Sequence, residues 1–128
     1  MADKILIVDD DRGLTRALAV RLRHAGFEVH VANDGQEGTA LVQRQRPSAI
    51  VLDIDMPHFS GPEFHECLQL AARTRSIPVV YLSGHDSALY RRLAFEQGAR
   101  AFVSKPYETA YLVQLLREVV SEQAAANA

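Results

Sequence analysis

The chain has 128 residues, 48% hydrophobic and 23% charged, with one cysteine and no tryptophan. That length suits one domain, and the balance of apolar and charged residues argues against disorder. A net charge of −2 argues against a dedicated nucleic-acid surface, and a single cysteine excludes an intrachain disulfide framework and four-cysteine zinc sites.

Met1-Ala2-Asp3-Lys4 leads into only four apolar residues before three aspartates. A secretory core takes about 7–15 apolar residues and a membrane span about 20, so a cytoplasmic location is expected. Residues 5–8 form a continuous, β-branched first strand. Leu14, Leu18 and Leu22 then sit four apart on a helix stopped by Gly26. Residues 28–32 are a weaker strand, and 35–46 a helix ending before Pro47. Residues 49–52 are the third strand, again apolar without alternation. A helix over 62–72 presents Phe64, Leu68 and Ala71 on one side. Residues 79–82 are the fourth strand, and 87–97 a helix presenting Leu89 and Leu93 and ended by Gly98. Residues 101–104 are a second weak strand. In the last helix Leu112, Leu115, Leu116, Val119 and Val120 follow the i, i+3, i+4, i+7, i+8 stripe. The domain is expected over 1–120. Residues 121–128 begin inside the last helix, become Ala-rich, and read as a frayed end or the start of a linker.

Five alternating strand–helix units with short connections imply an α/β fold, a doubly wound (βα)5 domain with a parallel sheet and helices on both faces. In such sheets, sites form at the carboxyl ends of strands, where strand order reverses. Strand one ends in Asp9-Asp10-Asp11 and strand three in Asp53, with Asp55 two residues on. Strand four ends in Ser83-Gly84-His85 and strand five in Ser104-Lys105-Pro106. If strands one, three, four and five are neighbours, several carboxylates, a hydroxyl and an ammonium converge. Clustered carboxylates repel unless a cation binds. Few, hard oxygen ligands favour Mg2+, which keeps waters and commonly shares its shell with a phosphate. Three carboxylates, one Mg2+ and the Lys105 ammonium cancel in formal charge, so a phosphoryl group could join them. Attack by Asp53 would give an aspartyl phosphate, with metal and Lys105 stabilising the transferring oxygens.

The residues Val8-Asp9-Asp10-Asp11, Leu52-Asp53-Ile54-Asp55-Met56-Pro57, Gly61, Ser83-Gly84, Gly98-Ala99 and Lys105-Pro106 resemble, in order and spacing, the receiver domain of the bacterial response-regulator (CheY-like) family. The resemblance implies a flavodoxin-like sheet of order 2-1-3-4-5 and a phosphoacceptor module of a two-component system or phosphorelay, with no dedicated substrate turnover. Asp53 would take the phosphoryl group from a phosphohistidine on a sensor histidine kinase or histidine phosphotransfer protein. Asp10 and Asp53 would bind Mg2+ directly, with the backbone carbonyl of Asp55, and Asp9 mainly through water. Lys105 would pair with Asp53 before modification and with a phosphoryl oxygen after it. Ser83 would hydrogen-bond a phosphoryl oxygen, Gly84 would leave room for phosphoryl access, and Phe102 falls at the aromatic switch position. An output domain or partner would use the face of the fourth helix, fifth strand and fifth helix, with Arg91, Phe95, Phe102, Tyr107 and Tyr111. Ser83 replaces the commoner Thr and Phe102 the commoner Tyr. The Lys105-Pro106 bond is expected to be cis.

Simpler readings accompany these. Asp11 suits the N-cap of the first helix, Asp55 a loop residue with a useful carbonyl, and His85 a solvated loop. His24, His30, His58 and His65 read as surface residues, Cys67 as a small buried hydrophobe, and Arg91-Arg92 as part of a solvated helix face. Two other functions compete. Asp53-x-Asp55 after an apolar strand is similar to haloacid dehalogenase-like phosphatases, but Pro57 stands where that family has Thr or Val. A receiver-like interaction module that no longer uses phosphate is opposed by the retention of Asp10, Asp53, Ser83 and Lys105.

Overall fold

A strand with no polar face has to be covered on both sides, and the apolar runs at 5–8, 49–52 and 79–82 set the architecture. The computed structural model describes residues 2–54, 56, 60–84 and 88–127. In chain order the elements are β1 (Lys4–Val8), α1 (Arg12–His24), β2 (Glu28–Ala32), α2 (Gly35–Gln45), β3 (Ala49–Leu52), α3 (Gly61–Gln69), β4 (Val79–Ser83), α4 (Ala88–Gln97), β5 (Ala101–Ser104) and α5 (Thr109–Asn127). The strands form one sheet of order β2-β1-β3-β4-β5, parallel throughout. This is the flavodoxin-like order the resemblance implied.

Because strand side chains alternate between faces, each strand feeds two cores. Ile5, Ile7, Val51, Val80, Leu82 and Val103 pack under α1 and α5, against Leu18, Leu22, Leu112 and Leu116. Leu6, Val8, Ile50, Leu52, Tyr81 and Phe102 pack on the other face, against Val42 of α2, Phe64 and Leu68 of α3 and Ala94 of α4. Each fully buried Leu, Ile or Phe contributes about 1.5–3 kcal/mol, so this two-sided burial is the main stabilising term.

Helix ends follow local chemistry. Asp11 caps α1 by accepting from Leu14 N, as its reading as an N-cap anticipated. Asp34 and Ser60 cap α2 and α3 in the same way. Gly98 ends α4 at φ +106°, and a Cβ there would also come within 2.8 Å of Gln69 Nε2.

Several expectations are corrected. α3 stops at Gln69 rather than 72, where the Thr74 hydroxyl donates to the Leu68 carbonyl at 2.7 Å, and Ala71 is exposed. His65 is buried, not on the surface. It lies between Phe64 and Leu68 on the inward stripe of α3, whereas Cys67 points away from that stripe and is exposed. On α4 the inward residue is Ala94, while Leu89 and Leu93 are exposed. The sheet beneath already carries the large rings of Tyr81 and Phe102, so a small side chain completes the packing there. Among the described residues, no helix is long and apolar enough to cross a membrane.

Candidate functional site

The strand order reverses between β1 and β3, and the residues that follow both strands are aspartates. Asp9 N donates to the Ala32 carbonyl and Asp53 N to the Val8 carbonyl, so both residues continue the sheet ladder by one step. That backbone anchoring brings carboxylate oxygens of Asp9, Asp10 and Asp53 all within 4.8 Å of one another. Asp9 and Asp53 are buried, and Asp10 faces solvent. Asp9 Oδ1 accepts from Asp11 N at 3.0 Å. Burial pushes the Asp9 carboxyl above its ordinary value, against the lowering effect of that N–H and of Lys105. Three hard oxygen donors in this space, one of them costly to keep ionised, fit a small divalent cation such as Mg2+.

Lys105 enters from β5. Its backbone N donates to the Ser83 carbonyl at 2.8 Å, and the Lys105-Pro106 bond is cis, as expected. The Lys105 ammonium lies 3.3 Å from Asp9 Oδ2 and 3.9 Å from Asp53 Oδ1. The resemblance named Asp53 as its partner, and Asp9 is the nearer. Ser83 ends β4 fully buried, one strand over from Asp53. A Cβ on Gly84 would meet nothing within 4 Å, so the approach beside Ser83 is open. Gly61 is tight: a Cβ there would lie 2.1 Å from the Asp53 carbonyl oxygen, and its N–H donates to the Ile54 carbonyl. The start of α3 thus seats directly against the Asp53 backbone. Asp55, with its carbonyl, and His85 lie outside the described residues.

Sequence reasoning missed Asn33 and Thr15. Asn33 Nδ2 donates to the Asp9 carbonyl at 2.9 Å and to Thr15 Oγ1 at 3.1 Å, and Arg12 donates to Asn33 Oδ1. These residues hold the backbone of Asp9 from behind. A polar residue directly after the β2 run was the available signal.

On the α4–β5–α5 side, Phe102 is buried, Tyr107 is half-buried against the core, and Phe95 and Tyr111 are exposed. Arg91 is not simply solvated. Its guanidinium donates to Ser104 Oγ at 3.0 Å and lies 4.9 Å from the centre of the Phe102 ring.

The chain matches the family model for the response regulator receiver domain over residues 5–117. It is 36% identical over 117 residues to response regulator MprA of Mycobacterium leprae, an alignment covering 91% of this chain and 50% of that protein. It is 35% identical over 120 residues to response regulator MprA of Mycobacterium bovis, covering 94% and 51%. The chain therefore spans about half the length of the curated relatives it matches. Among solved structures, chemotaxis protein CheY4 of Vibrio cholerae is similar with TM-score 0.88 and 28% identity, covering 93% of this chain and 99% of that one. A CheY-like response regulator receiver domain protein from Methanospirillum hungatei gives TM-score 0.91 and 25% identity, covering 98% and 99%. These matches set aside the haloacid dehalogenase-like reading. On its sequence, its strand order and its cluster of aspartates, the chain belongs to the response regulator receiver domain family of two-component signalling.

Proposed function

We propose that Asp53 is the phosphoacceptor of this receiver, taking a phosphoryl group from a phosphohistidine on a sensor histidine kinase or histidine phosphotransfer protein in the cytoplasm. The observation that carries this reading is the convergence of three carboxylates and the Lys105 ammonium at the reversal of strand order. A carboxylate oxygen of Asp53 attacks phosphorus. The bond from phosphorus to the donor imidazole breaks, and that nitrogen retains the electron pair. Asp10, Asp53 and the Asp55 carbonyl, with Asp9 through water, would hold a Mg2+ ion, which would supply charge neutralisation for the phosphoryl oxygens. Lys105 pairs with one of those oxygens, and the Ser83 hydroxyl donates to another. Open space at Gly84 admits the donor. Recruitment of Ser83 and reorientation of Phe102 then shift a pre-existing equilibrium between inactive and active forms. The active form presents Arg91, Phe95, Phe102, Tyr107 and Tyr111 to an output domain or partner.

Incubation with acetyl phosphate and Mg2+, followed by intact mass measurement, tests the reading. One added phosphoryl group is expected, with none when the metal is chelated. A mass unchanged under both conditions favours the phosphate-independent interaction module.

A further inference from the structure

α4 is thinly held by apolar contact. Among its described residues only Ala94 is buried, and Leu89, Leu93 and Phe95 face solvent. Its C-terminal end carries a polar attachment instead. Gly98 N donates to the Phe95 carbonyl and Ala99 N to the Ala94 carbonyl, the pattern of a helix stopped by glycine. Those bonds leave the Gln97 carbonyl over, and a helix-end carbonyl takes its donor from elsewhere. Gln69, the last residue of α3, supplies one: its Nε2 donates to the Gln97 carbonyl at 3.1 Å. The same nitrogen lies 3.2 Å from His65 Nε2, and His65 Nδ1 lies 3.0 Å from the Tyr81 hydroxyl. His65 and Tyr81 are fully buried. Gly98 permits the close approach, since a Cβ there would stand 2.8 Å from Gln69 Nε2.

Chemistry fixes the direction of each bond. A carbonyl oxygen only accepts, so the amide atom of Gln69 that faces Gln97 is the nitrogen, a donor. His65 Nε2 faces that same donor and accepts with its lone pair. A neutral imidazole carries one proton, which then sits on Nδ1 and is donated to the Tyr81 oxygen. A proton on Nε2 would set two donors against each other. We infer that His65 is held as the Nδ1–H tautomer, and that Gln69, oriented by it, clasps the end of α4 to α3 and limits how readily that end opens. The clasp runs from β4 through α3 to α4 over Tyr81, His65, Gln69 and Gln97. Where apolar burial is small, such attachments govern local opening. The clasp stands independently of phosphoryl transfer at Asp53.

Ring-nitrogen NMR of the chain with isotope-labelled histidine, at neutral pH and without metal, reads the tautomer. The His65 signals, assigned by their loss in His65→Asn, are expected to show a pyrrole-like Nδ1 and a pyridine-like Nε2. Gln69→Glu, whose carboxylate only accepts, is expected to draw a proton to Nε2. Gln69→Leu removes the donors at similar volume. Hydrogen exchange at the Gly98 and Ala99 amides is expected to rise several-fold more in it than exchange at the β1 amides. A pyridine-like Nδ1 with a pyrrole-like Nε2 in the wild type overturns the clasp, as do unchanged ring shifts in Gln69→Glu. So does an exchange rise at the end of α4 no greater than that in β1. The tautomer is read on the wild-type chain, so it decides the matter even if Gln69→Leu folds poorly.

Discussion

The Lys105 ammonium lies 3.3 Å from Asp9 Oδ2, joining the ends of β5 and β1 across a gap that Asp53 occupies. The site is thus held closed by a cation shared between two buried carboxylates. Burial keeps the Asp9 carboxyl above its ordinary value. Whatever stability Asp9 adds is therefore present below that ordinary value and is lost as pH rises through the raised one, so at neutral pH its charge is a cost to the metal-free fold.

Asp9→Asn retains an oxygen to accept from Asp11 N and removes the charge. Urea unfolding in chelator should show a midpoint equal to or above wild type. Saturating Mg2+, at a hundredfold over its dissociation constant, should stabilise the wild type by about 2.7 kcal/mol and the variant by clearly less. A large loss of stability in chelator would contradict the account of Asp9 as a strained ligand.

Gly61→Ala should cost about 1–3 kcal/mol, the usual range for overpacking, because the new methyl group would stand 2.1 Å from the Asp53 carbonyl oxygen. Moving that carbonyl moves the acceptor residue, so labelling by acetyl phosphate should slow as well. Gly84→Ala, with open space around its position, should stay within about 0.5 kcal/mol of wild type. Denaturant unfolding of the two variants side by side checks the contrast.

His65 is buried and hydrogen-bonded to Tyr81 and Gln69. Burial lowers its pKa from 6.5 to about 4. The unfolded chain binds a proton that the folded chain refuses between those values. Stability is therefore full above pH 6.5 and falls as pH drops toward 4, by a total of about 3 kcal/mol. His65→Asn, which retains a polar group near Tyr81 Oη, should flatten the slope of unfolding free energy between pH 6.5 and 5. An unchanged slope would place the acid sensitivity elsewhere.

The order of elements was legible because β1, β3 and β4 are short, almost wholly apolar runs and each helix has a repeat near 3.6 residues. The carboxylates were legible for a related reason: Asp9 and Asp53 directly follow apolar runs, and two-sided burial puts them at a strand end. Side-chain orientation on helices was less so. On α4, Leu89 and Leu93 have helical spacing, yet Ala94 faces inward, because the volume beneath is set by Tyr81 and Phe102 from other parts of the chain. His65 has the spacing of a core residue, yet on sequence alone it is one of several scattered histidines expected at the surface. Its burial depends on the Tyr81 hydroxyl, 16 positions away in sequence. Arg91 was read as a solvated charge for the same reason, since its partners Phe102 and Ser104 come from β5. Local pattern carries the backbone, whereas polar partnerships across elements need the fold.

The identity of the acceptor carboxylate is the point on which the functional account turns, since Asp9, Asp10 and Asp53 lie together. Treatment with acetyl phosphate and Mg2+, reduction with borohydride to convert the aspartyl phosphate to homoserine, and peptide mass mapping locate the modified residue. The account predicts homoserine at position 53 alone, and none anywhere in Asp53→Asn. Homoserine at position 9 or 10 of the wild-type chain, or none at all after confirmed exposure to the donor, would contradict it.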